Sequence, residues 1–251
     1  MKKVVLLSVM VTCLFPVIGF AVEEETIYVG DVNIEMVKVE GGTFDMGATK
    51  EQEEPWDSEK PVHKVTLSSF SIGKTEVTQE LWHAVMGNNP SNNIGSNLPV
   101  EMVSWNDCQE FIRKLNAMTG YNFRLPTEAE WEFAARGGNK SLRSQYSGSN
   151  YVSSVAWYYD NSRYKSHPVA TKAPNELGIY DMSGNVWEWC EDWYGSYSSN
   201  AITNPHGASS GSYHVVRGGS WGDIAEGCRV AARSYFTPDF RDCYLGLRLA
   251  L

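Results

Sequence analysis

Residues 178–195, GIYDMSGNVWEWCEDWYG, decide how the chain folds. Three tryptophans (Trp187, Trp189, Trp193) and two tyrosines alternate there with Asp181, Glu188, Glu191 and Asp192. Alternation at a period of two predicts a short strand over residues 186–189, with one face buried and the other polar. Ser183-Gly184-Asn185 and Tyr194-Gly195-Ser196 carry turn chemistry on either side. Asp181 and Glu188 bracket the first turn, where carboxylates and turn carbonyls together suit a hard cation such as calcium. On composition alone the stretch reads as a tryptophan-rich core strand with solvated acids.

Working outward, four further blocks stand in order around it. They are GGTFDMG at 41–47, KTEVTQELW at 74–82, PVEMVSWNDCQEF at 99–111 and RLPTEAEWEFAARGG at 124–138. VVRGGSW follows at 215–221. With GNVWEW at the centre, this order resembles the formylglycine-generating enzyme (sulfatase-modifying factor) family over roughly residues 34–251, and several ordered blocks exclude coincidence. The resemblance implies an α+β, C-type-lectin-like fold of low secondary-structure content. It leaves the function of this member open, because one fold hosts many functions.

Residues 1–21 read as a secretory signal peptide: Lys2 and Lys3, an apolar run interrupted by Pro16, then Gly19-Phe20-Ala21 as the cleavage site. The run is short for a bilayer span, so no membrane insertion is expected after cleavage. The expected location is exported: periplasmic, cell-surface or secreted. Cleavage removes two lysines and no acid, taking the formal charge from −9 to −11. Such an acidic chain is a poor partner for nucleic acid or anionic membrane. No linker, repeat or low-complexity tract divides the remainder. Residues 22–33 are read as an amino-terminal arm, with residues 23–33 a polar lead-in strand or arm, and 34–251 as one domain.

Strands are expected at residues 36–40, 43–46, 63–67 and 70–74, and the acid-rich residues 50–60 as a solvated loop. Three helices carry their own entry signals. Thr78 caps residues 79–86, which stop at Gly87, and Ser104 with Asp107 opens a helix to Asn116. Thr127 and Glu130 form a capping box for 128–136. Beyond Gly137 short strands and long loops are expected, pinned by ions or disulfides.

The resemblance implies site residues one by one. Asp181 and Glu188 would be calcium ligands by side chain, and Gly184 and Val186 by carbonyl. A second calcium site would use the segment near Val155, where valine replaces the side-chain ligand. The family's oxidase chemistry implies two cysteines holding copper(I), and counting from Ser220 places them at Asp223 and Cys228. A carboxylate does not replace a thiolate in a two-coordinate copper(I) site, so copper and formylglycine generation are not expected. Cys228 would be catalytic only in an oxidase. The four cysteines beyond the leader suit an oxidising compartment, and a Cys190–Cys228 disulfide is expected, with Cys228–Cys243 or free thiols as alternatives.

From Trp221 onward, aromatic and polar side chains are displayed on a fixed frame. Trp221, Asp223, Tyr235, Phe236, Asp239, Phe240 and Tyr244 are the candidate ligand-binding residues, on the face that C-type-lectin-like proteins use for protein or glycan ligands. Some relatives with this layout are retroelement-diversified binding proteins. Three functions stand side by side: a calcium-stabilised binding or accessory module, a formylglycine-generating oxidase acting on a sulfatase cysteine, and a structural component of a gliding or secretion assembly.

Overall fold

The computed structural model describes residues 23–251, so the signal peptide expected at 1–21 lies outside the described residues. The elements in chain order are β1 (Glu24–Val29), β2 (Val32–Val39), β3 (Gly42–Met46), β4 (His63–Leu67), β5 (Phe70–Gly73), α1 (Gln79–Met86), α2 (Trp105–Thr119), α3 (Glu128–Ala135) and the single turn α4 (Val152–Val155). Then come β6 (Trp187–Trp193), β7 (Ile202–Thr203), β8 (His214–Arg217), β9 (Arg233–Phe236) and β10 (Leu245–Leu247). They form three small sheets, ordered β1-β2-β5, β3-β4-β7 and β10-β6-β8-β9.

The helices begin where their caps stand. Thr78, Ser104 and Thr127 each accept the N–H of the residue three further on, and Asp107 and Glu130 complete capping boxes. Gly87 and Gly120 close α1 and α2 in the left-handed conformation. α2 runs to Thr119 rather than Asn116, because Gly120 is the first residue that breaks the pattern. Arg124 grips Glu130 with two bonds of 2.6 and 2.7 Å, so that trio is structural.

Two readings change in the central sheet. β6 extends to Trp193, and it is buried on both faces from Trp187 to Cys190, not on one. Trp187 and Trp189 join the core under α1 and α2, where Trp82 stacks on Phe111 at 4.8 Å. Cys190 joins a second core with α3, Val215 and Met182. The strand lies between β10, parallel, and β8, antiparallel, so both edges are paired, and the two cores cover its faces. The amino-terminal segment is a strand, one of the two forms open to it. β1 pairs with β2 along its whole length and buries Ile27 and Val29.

A set of buried arginines pins the loops. Arg229 meets Glu59 with two bonds of 2.6 Å, and Arg233 meets Glu128 with two of 2.7 Å. Arg217 joins Glu132, and Arg248 joins Glu188. Three of them also donate to loop carbonyls: Arg217 to Val230 and Ala231, Arg233 to Ser58 and Gly195, Arg248 to Gly73 and Tyr180. A guanidinium fork has five donors and can satisfy a carboxylate and two orphan carbonyls together, which a chain poor in ladders requires. The acid-rich loop is therefore held as well. Glu59 within it is fully buried, and only its outer residues are solvated.

Candidate functional site

The turn before β6 is made by Gly184 and Asn185, with φ of 78° and 63°. A Cβ on Gly184 would stand 2.3 Å from the Trp157 carbonyl oxygen, so only glycine fits. Asp181 is buried and accepts the Ala170 N–H at 2.7 Å. Glu188 accepts Trp131 Nε1–H at 2.6 Å and Arg248 Nε–H at 2.9 Å on Oε2, and Arg248 Nη2–H at 2.7 Å on Oε1. A third acid, Glu76, completes the group. It accepts the Val186 N–H at 3.0 Å and the Asn185 side-chain amide at 2.6 Å.

Burial first, and then the charges of Asp181 and Glu188, raise the Glu76 carboxyl well above its ordinary value. Burial also pushes Asp181 up to about 6. Three carboxylates thus surround one guanidinium, that of Arg248. Both oxygens of Glu188 are taken by donors, and among the described residues no group of three or more His, Cys, Asp or Glu side chains is arranged to hold a metal ion. As arranged, Asp181, Gly184, Val186 and Glu188 do not fit a calcium cage, and Arg248 supplies the positive charge. Val155, at the second position, is packed among Tyr146, Ala156 and Tyr158 and offers no ligand.

The carboxy-terminal residues divide into two groups. Asp223, Phe236 and Tyr244 line a cleft of about 330 Å³, together with Trp56, Trp187 and Ser220. Phe240 stacks on Phe236 at 4.3 Å and backs that wall. The others face elsewhere. Tyr235 alternates to the opposite face of β9 and meets Tyr194 and Tyr213 at 4.3 and 4.9 Å. Asp239 accepts the Asn106 amide at 2.6 Å, and Trp221 Nε1–H donates to the Cys243 carbonyl at 3.1 Å.

In the cleft, Asp223 Oδ2 accepts Trp187 Nε1–H at 2.8 Å and the Ser220 hydroxyl. Burial raises its carboxyl above the ordinary value, and these bonds oppose the shift. Trp56 is the residue that sequence reasoning missed. It comes from the acid-rich loop, and its ring lies 5.6 Å from the guanidinium of Arg229, itself fixed by Glu59. A large aromatic amid acids was the available signal, but nothing local says which distant surface it meets.

Cys190 and Cys228 are free thiols, which corrects the expected disulfide. They belong to different clusters: Cys190 packs under α3, and Cys228 packs with Tyr146, Val155, Ala156 and Tyr158. The frame that brings their flanking blocks together separates their side chains. Cys228 is fully buried, and burial first, then the charge of Asp223, pushes its thiol far up. No other cysteine shares its cluster among the described residues. One protonated sulfur beside a carboxylate does not fit copper(I), which needs soft thiolates.

A family profile, the sulfatase-modifying factor enzyme 1-like domain, matches residues 29–251. The chain belongs to the sulfatase-modifying factor enzyme 1-like family. It is 31% identical over 283 residues to a formylglycine-generating enzyme of Streptomyces coelicolor, covering 85% of this chain and 88% of that one. It is 35% identical over 240 residues to the chaperone protein LppX of Paenibacillus barcinonensis, covering 76% and 79%. Among solved structures, Treponema denticola variable protein 1 superposes with a TM-score of 0.82 at 35% identity, covering 90% of this chain and 98% of that one. PvdO from Pseudomonas aeruginosa superposes with a TM-score of 0.74 at 25% identity, covering 90% and 97%. The architecture of this sulfatase-modifying-factor-like chain is α+β and C-type-lectin-like, as the ordered motifs predicted. Among the described residues no helix is long and apolar enough to cross a membrane.

Proposed function

We propose that this chain is an exported binding or accessory module of the sulfatase-modifying factor enzyme 1-like family, and that its protein ligand enters the cleft between Trp56, Trp187, Asp223, Phe236 and Tyr244. One observation carries the reading. The cleft is lined by a carboxylate, Asp223, at the position where the family resemblance puts an oxidase thiolate, and the nearby thiol, Cys228, is closed off in an apolar cluster. Relatives named as a chaperone and as a variable protein support a role in holding other molecules. Aromatic walls with a polar floor are the usual composition of a binding cleft. Export follows from the leader read at residues 1–21.

A second reading, oxidation of a sulfatase cysteine, has the support of the relatives named as formylglycine-generating enzymes. Incubating the purified mature protein with a Cys-x-Pro-x-Arg peptide, with and without copper(I), separates the two. Mass spectrometry is expected to find the peptide thiol intact under both conditions. Enzyme-dependent conversion to the aldehyde would replace the binding-module reading with the oxidase.

A further inference from the structure

The cleft has a charge that no cation among the described residues pairs with. Asp223 accepts both of its side-chain hydrogen bonds on Oδ2, with the Ser220 backbone as a further donor to the carboxylate, and all of these donors are neutral. No arginine or lysine lines the cleft, and Asp223 takes part in no ion pair among the described residues. The contrast with Glu59, Glu128, Glu132 and Glu188 is direct, since each of these has an arginine within bonding distance. The rings of Trp56, Trp187, Phe236 and Tyr244 line the same cleft as this carboxylate. Phe236 and Tyr244 are 6.3 Å apart, and Trp56 is 38% exposed at the rim.

Aromatic faces carry negative quadrupole potential, so rings lining one cleft with a carboxylate favour a cation that can shed water. A hydroxyl or amide would leave the charge of Asp223 unmatched. A carboxylate or phosphate would be repelled by it and by a chain of net charge −9. A volume of about 330 Å³ takes the end of one long side chain, and not a folded surface. We propose that the cleft is a cation-recognition site that receives a lysine or arginine side chain presented by a protein partner. The inference rests on the binding-module reading and names its ligand class. Trp56 and the ring pair Phe236–Tyr244 would flank the stem and head of that side chain, and the Asp223 carboxylate would accept its N–H.

The test uses the mature protein, ¹⁵N-labelled on its indoles, titrated with N-acetyl-lysine methylamide, N-acetyl-arginine methylamide, N-acetyl-norleucine methylamide and choline. The lysine and arginine probes are expected to move the Trp187 and Trp56 indole N–H peaks, with norleucine at least ten times weaker. Asp223→Asn keeps an acceptor for Trp187 and should weaken both cationic probes about tenfold or more. Trp56→Ala, at the exposed rim, should weaken them about 2- to 30-fold, the range of one cation–π contact. If Asp223→Asn does not fold, the Trp56→Ala variant and the norleucine comparison still decide. Norleucine binding as well as lysine, or Asp223→Asn binding unchanged, would overturn the cation class while leaving a binding cleft. Choline binding more tightly than the lysine probe would overturn a protein side chain as the source. Aldehyde formation in the peptide assay would instead remove the binding-module reading beneath it.

Discussion

Replacing Arg248 with methionine probes the cation buried among Glu188, Asp181 and Glu76. Arg248 is fully buried and spends its fork on Glu188, the Gly73 carbonyl and the Tyr180 carbonyl, at 2.7 to 2.8 Å for the closest contact with each. Methionine matches the stem but leaves Glu188, Asp181 and Glu76 without a cation and two carbonyls without donors. Breaking one side of a buried pair costs about 3–5 kcal/mol. For a domain of this size each kcal/mol moves Tm by about 2–4 °C, so the expected fall is about 6–20 °C. Glu188→Gln keeps the neutral shape and an acceptor for Trp131, and should cost less, roughly 1–3 kcal/mol. The assay is thermal unfolding followed by circular dichroism, in calcium and in chelator. Wild-type curves are expected to superimpose. The Arg248→Met curves should separate if the freed carboxylates now bind the ion, since a ligand of the native state raises Tm with its concentration. A wild-type Tm that climbs with calcium would refute the argument, because Glu188 would then be surrendering Arg248 to an oxygen cage.

Two other outcomes follow from the buried groups. Alkylation of the native protein should leave Cys190 and Cys228 unmodified, with both labelled once denaturant is added, and a Cys190–Cys228 bridge in non-reducing peptide mapping would contradict their separation into different clusters. The Glu101 carboxyl is buried, keeps one oxygen without a partner, and is pushed by burial to about 7 from an ordinary 4.5. Between those values the folded chain holds a proton that the unfolded chain has released, so stability should fall as pH rises through that window and level off above it. Glu101→Gln should flatten that slope, which is worth roughly 3 kcal/mol at most, in urea melts taken across the range; an unchanged slope would assign it to another group.

The sequence by itself determined the local elements and the family. Caps at Thr78, Ser104 and Thr127 act within three residues, so helix starts are written where they occur. The ordered blocks likewise stand in the chain as linear signals, and the place of Asp223, three residues after Ser220, is a matter of counting. Only the tertiary structure decided which acids are solvated and which are paired. Glu59 and Arg229 are 170 residues apart, and Glu188 and Arg248 are 60 apart, so no window contains both partners. It also decided that β6 is covered on both faces, because that depends on helices and sheets packed from elsewhere. The cleft shows the same division. Asp223, Phe236 and Tyr244 lie close enough in the chain to be guessed together, whereas Trp56 reaches them from the acid-rich loop through a guanidinium fixed at Glu59, a connection that exists only once the chain has folded.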